Sequence, residues 1–133
     1  MAHELESFWL YVHPPLAIVG YLLIYLFTLM LFVDFRGIRS RFRTEFFGAA
    51  AWLFTLLGLI TGMLWAQTAW GTYWSWDPKE TMTLVLFLAV SASLTAYYEK
   101  HPGLAKALAV LSCLLTILTL SASWIIQGLH SFA

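Results

Sequence analysis

The chain has 133 residues, 61% of them hydrophobic and 11% charged, with a mean hydropathy of +0.78 and a formal net charge of zero. Water-soluble domains run nearer half apolar and a quarter charged, so a soluble protein is excluded. The basic residues form no groove-lining stripe, which excludes a nucleic-acid partner. Cys113 is the single cysteine and lies in an apolar run. An intrachain disulfide, a thiolate metal cluster and covalent haem attachment through Cys-x-x-Cys-His are therefore excluded too.

Four stretches contain no Asp, Glu, Lys or Arg: 7–33, 46–76, 81–98 and 107–133, together 103 positions. Each is long enough to cross a hydrocarbon core, which takes roughly 17 to 25 apolar residues as helix. They predict an all-α integral membrane protein, a four-transmembrane-helix bundle in one membrane domain spanning 1–133, with the lipid bilayer as its solvent. Glu4 and Glu6 make the first flank acidic, unlike that of a cleavable signal peptide. Six of the seven Lys and Arg residues fall between runs one and two (Arg36, Arg39, Arg41, Arg43) or between runs three and four (Lys100, Lys106). Excess Lys and Arg mark the cytoplasmic side, so both termini and the connection holding Lys79 are expected outside.

Taken in order, helix one is expected over about 14–33, because a proline pair, Pro14-Pro15, starts a helix more easily than it continues one. That places His13 at its outer mouth, with Phe8-Trp9-Leu10-Tyr11 as an interfacial segment. Helix two is expected over about 46–67, with Gly58 and Gly62 allowing close backbone approach. A tryptophan-rich external loop follows over 68–77. Asp77-Pro78-Lys79-Glu80 then combines an N-cap, a proline at the first helical position and a glutamate three residues after the cap, giving helix three over about 78–98. His101-Pro102-Gly103 makes the inner turn, and helix four is expected over about 106–129. Its Ser112, Thr116, Thr119 and Ser123 share one face, which should turn toward the bundle interior and carry His130 with it.

This topology gathers His13, the tryptophan loop and His130 at the outer face. Two neutral imidazoles can fill both axial positions of a haem iron, and indole rings offer an apolar planar surface to a macrocycle. Zinc would want three or four protein ligands, and this face has no thiolate. Several residues also have plainer roles. Asp77 is explained by capping, Lys79 and Glu80 by solvation, Gly58, Gly62 and the Ser/Thr stripe by packing. Trp9 and Trp124 suit interfacial belts, His3 and His101 solvent, and Cys113 a small buried apolar site. Four aromatics within seven residues of one loop fit a belt poorly.

The run Trp70-Gly71-Thr72-Tyr73-Trp74-Ser75-Trp76-Asp77-Pro78-Lys79-Glu80-Thr81 resembles the tryptophan-rich "WWD" motif of the haem-handling membrane proteins of cytochrome c assembly. It is most like the CcsA/ResC type and less like the CcmC and CcmF types. His13-Pro14-Pro15 and Gly128-Leu129-His130-Ser131-Phe132 are similar to the surroundings of that family's two external histidines, in the family's order. The resemblance implies non-covalent haem b held at the extracytoplasmic face of a prokaryotic plasma membrane, or an equivalent energy-transducing membrane. His13 and His130 would be its axial ligands, with Trp70, Tyr73, Trp74, Trp76 and Asp77 forming the platform and its support. It implies as partner an apocytochrome c with Cys-x-x-Cys-His, to which haem is presented for thioether formation. CcsA-type proteins are longer and carry a further histidine pair within the membrane, whereas this chain has no mid-membrane histidine. Another membrane subunit or a second copy is therefore expected, and the chain is at most part of a cytochrome c synthase, with no catalytic residue assigned. Two other readings stay open: a b-type haem-binding anchor or electron-transfer subunit with no haem delivery, and a scaffold whose tryptophan loop docks a partner without haem.

Overall fold

A computed structural model describes the backbone of residues 8–33 and 38–131 and the side chains of residues 11–33 and 41–121. Within these residues the chain folds as four helices: α1 (Phe8–Val33), α2 (Ile38–Trp70), α3 (Pro78–Tyr98) and α4 (Pro102–Ser131). All four are long and apolar enough to cross a membrane, and together they form an all-α membrane bundle. The helices are neighbours in chain order, α1 beside α2, α2 beside α3 and α3 beside α4, with α4 closing back on α1. The α1/α2 and α3/α4 contacts are the most extensive.

Three helices differ in their bounds from the sequence expectation. Helix α1 begins at Phe8 and passes through Pro14 and Pro15 instead of starting there. The prolines fall within its first turns and are exposed, so few backbone bonds are lost, and those near the aqueous end. Helix α2 takes in Arg39, Arg41 and Arg43, which had been expected in a connecting loop, and continues past Gln67 to Trp70. At 1.5 Å per residue its 33 residues span about 50 Å, well beyond a hydrocarbon core of about 30 Å. Arg41 and Glu45, one turn apart, pair at 3.6 Å near its start. Helix α4 starts at Pro102, earlier than residue 106.

Close backbone approach sets the α1/α2 seam. A Cβ added at Gly20 would stand 3.4 Å from the backbone of Phe54 and Thr55, and one at Gly58 would stand 3.6 Å from the Ala17 Cα. The apolar core occupies the half of the bundle nearer the α1/α2 and α3/α4 connections. Phe27, Leu31, Ala96, Ala105 and Ala109 form one buried cluster and Ile24, Ala51, Leu86 and Val90 the next. Polar ties cross these layers: Trp52 donates to Ser91 Oγ at 2.9 Å, Ser93 donates to the Ala105 carbonyl at 2.7 Å, and Tyr25 bonds Thr116. Ser112, Thr116 and Thr119 are buried, as their shared face required. Cys113 is half-buried, its sulfur 3.3 Å from Thr28 Oγ1.

Helix α3 ends in a Schellman arrangement: His101 N–H donates to the Ala96 carbonyl at 2.9 Å and Lys100 N–H to that of Tyr97 at 3.1 Å. Lys100 sits at φ 65°, in the left-handed region that glycine adopts freely. Replacing Lys100 by Gly is expected to raise stability by up to about 1 kcal/mol, read as a higher thermal unfolding midpoint of the protein in detergent.

Candidate functional site

Away from the apolar core, α1, α2 and α3 part around a cavity of about 240 Å³. His13, Ala17 and Tyr21 line it from α1, and residues from Phe54 to Trp70 line it from α2. That α2 stretch corresponds to about 24 Å of helical rise. Thr119 of α4, together with Tyr21 and Leu86, lies at the deep end, and Trp74, Asp77, Lys79 and Glu80 lie at the end formed by the loop and the start of α3. The tryptophan segment is therefore a wall at the mouth of a cleft that descends into the bundle.

His13 is oriented by α2. Its Nδ1 lies 3.0 Å from Thr61 Oγ1. The threonine has one hydroxyl proton, and this points back along its own helix, 2.8 Å from the Leu57 carbonyl and 3.2 Å from that of Gly58. With that proton given to its own helix, the Thr61 oxygen is an acceptor toward the ring, an arrangement that favours the tautomer protonated on Nδ1. Nε2 is left with a lone pair, the form in which histidine binds metals. Gly62 gives the ring its space, since a Cβ there would stand 3.1 Å from His13 Cε1.

The tryptophan loop, residues 71–77, is shaped at both ends. Gly71, at φ 80°, ends α2, and its N–H bonds the Gln67 carbonyl at 3.0 Å. At the other end Asp77 caps α3, its Oδ1 accepting from Glu80 N–H at 2.7 Å. Glu80 in turn reaches back over the loop, where its Oε2 accepts from Ser75 N–H at 2.8 Å and Trp76 N–H at 2.9 Å. Trp76 has φ 60°, a conformation costing about 1–3 kcal/mol in a non-glycine residue. Two charge-assisted bonds, each of about 1.5–3 kcal/mol, are enough to hold it there.

Of the residues singled out in the sequence, the fold brings His13, Trp70, Trp74 and Asp77 to one cavity. Tyr73 and Trp76 are exposed and do not line it, although Trp76 meets Trp74 edge-on at 5.3 Å. His130 belongs to α4 by its backbone, but its side chain lies outside the described residues. Two residues were missed. Trp65 lines the cavity and meets Trp70 edge-on at 5.9 Å; inside an apolar run it reads as one more membrane residue. Glu80 was read as solvated, whereas it organises the loop; its place three residues after the cap was the available signal. Among the described residues no three of His, Cys, Asp or Glu converge as a metal shell would require.

The family described as "Cytochrome C assembly protein" matches residues 1–130, and the chain belongs to that family. It is similar to the protein named "Cytochrome c biogenesis protein CcsA" of Gloeobacter violaceus, 38% identical over 81 residues, covering 57% of this chain and 23% of that protein. The namesake from Guillardia theta is 41% identical over 81 residues, covering 57% and 26% respectively. That of Prochlorococcus marinus (strain MIT 9303) is 37% identical over 83 residues, covering 60% and 26%. In each case the matching stretch spans about a quarter of the relative's length. No solved structure matches.

Two substitutions separate the roles of these parts. Gly62→Ala is expected to push the His13 ring off Thr61, seen as a changed imidazole signal by NMR in a bundle of unaltered helicity. Glu80→Ala is expected to free the loop, giving a red-shifted tryptophan emission and faster proteolysis within residues 71–77, with Glu80→Gln in between.

Proposed function

We propose that this chain binds haem b at the extracytoplasmic membrane face and presents it to the Cys-x-x-Cys-His site of an apocytochrome c. The observation that carries the reading is His13: an imidazole with Nδ1 held by Thr61 and Nε2 unengaged, set in the wall of an apolar cavity edged by Trp70 and Trp74. One neutral imidazole from the chain is what a single axial position of haem iron takes. His130 would supply the second ligand. It stands eleven residues beyond Thr119, which lines the cavity, or about three turns further along α4.

The residues present fit the group. Phe54, Leu59 and Leu86 give the cavity an apolar interior, and two tryptophans flank its mouth. At about 240 Å³ it is smaller than the roughly 300–1,000 Å³ of pockets that enclose a ligand. A macrocycle is therefore gripped along one side and left partly uncovered, as suits cargo that must be handed on. When bound, haem supplies vinyl groups, and each cysteine S–H adds across one vinyl double bond, sulfur to one carbon and hydrogen to the other. What the chain itself does is orient the iron through His13, and shield one face with indole rings.

Membership of the cytochrome c assembly family supports this context. Support for the orientation comes from charge. Arg41, Arg43, Lys100 and Lys106 lie at the end of the bundle opposite the tryptophan loop, and such an excess marks the cytoplasmic side. The rest of the site, and the surface that receives the apocytochrome, are supplied by another subunit, a second copy or further chain.

Purified wild-type protein is expected to carry haem with a bis-histidine absorption spectrum, and to lose it when a Cys-x-x-Cys-His apoprotein is co-expressed. His13→Ala should lower haem content severalfold, with partial recovery in imidazole. Full haem content in a His13→Ala, His130→Ala double variant would overturn the ligand assignment, and haem that stays put against the apoprotein would overturn delivery.

A further inference from the structure

Two buried donors at the cavity are left without acceptors. The indole Nε1 atoms of Trp65 and Trp74 are both shielded from water, and neither has a hydrogen-bond partner among the described residues. An unmade bond of this kind costs about 1–3 kcal/mol, and native structures rarely keep one without a reason. Both rings line the same cavity. The neighbouring carboxylates are engaged elsewhere in the loop. Asp77 Oδ1 takes the Glu80 N–H, and the Glu80 carboxylate takes the Ser75 and Trp76 N–H groups. Both carboxylates also sit at the N-terminus of α3, where the helix dipole offsets their charge.

The same wall carries one cation. Lys79 is the single Lys or Arg lining the cavity among the described residues; it is exposed and makes no ion pair there. Two indole donors lacking acceptors, beside an ammonium whose neighbouring carboxylates Asp77 and Glu80 already hold loop and helix N–H groups, fit a group rich in oxygen acceptors.

We propose that Trp65, Trp74 and Lys79 form a carboxylate-recognition subsite at the mouth of the cavity. This rests on the haem reading above, in which the groups received are the two propionates of the macrocycle. Each indole meets its aromatic neighbour edge-on, Trp65 on Trp70 and Trp74 on Trp76, and a tilt about that contact turns its N–H to the incoming oxygen. The subsite gives the ligand a direction: acid groups toward Lys79, and the apolar edge toward Phe54, Leu59 and Leu86.

The test uses the full chain in phosphatidylcholine nanodiscs, titrated with haem and separately with haem dimethyl ester, whose acid groups are masked. Binding is followed in the Soret band. Wild-type protein is expected to prefer the free acid by about tenfold, the equivalent of one charge-assisted bond. Lys79→Met, at an exposed position that the fold tolerates, and Trp65→Phe and Trp74→Phe should each bring the ratio of affinities toward one. Equal binding of acid and ester by the wild type would overturn the subsite while leaving haem binding intact. A tenfold preference that survives in all three variants would overturn its assignment to these residues. Failure of both probes to bind would overturn the subsite together with the haem reading.

Discussion

The outer half of this protein depends on how closely α1 and α2 can approach. Gly20 and Gly58 bring the two backbones nearly into contact, and Gly62 then leaves a hollow that the His13 ring fills. At that spacing the Nδ1 of the imidazole reaches Thr61, whose only proton is already given to its own helix. A hydroxyl that in most helices merely saturates a carbonyl here chooses the tautomer of a residue 48 positions earlier. Packing in the membrane favours small residues for contact; in this seam they also decide which nitrogen of His13 meets Thr61.

The second constraint is electrostatic and local. The tryptophan loop has to turn seven residues from the end of α2 to the start of α3 with three large rings on it, and it has no sheet to rest on. Glu80 solves this from the first turn of α3, where its carboxylate collects two loop amides while its own N–H is taken by Asp77. The cap that starts the helix and the clamp that shapes the loop are one network, so Trp74 is placed by helix-start chemistry.

Much of the fold could be read in the sequence because membrane solvation leaves few options: long uncharged runs become helices, and the third helix was placed by the cap Asp77, by Pro78 and by the turn after Tyr98. What escaped reading were the places where two rules compete. The proline pair reads as a start, yet at the wet end of a long helix it is simply passed through. The arginines after the first run read as loop, yet they extend α2 beyond the hydrocarbon. At the site, His13, Trp70, Trp74 and Asp77 were legible from type and order. Tyr73 and Trp76 were grouped with them by adjacency alone, since a loop shows its neighbours to different sides. Trp65 was hidden because an aromatic in an apolar run carries no sign of which way it faces.

The buried cluster around Phe27 sits at one end of the bundle, the cluster around Leu86 closes the floor of the cavity, and the cavity takes the other end. Such an uneven distribution of cohesion makes the molecule behave like tongs, with a welded heel and compliant tips. Local opening at the tryptophan end can therefore proceed at a free energy below that of unfolding the bundle, so movement of this wall is decoupled from the survival of the fold.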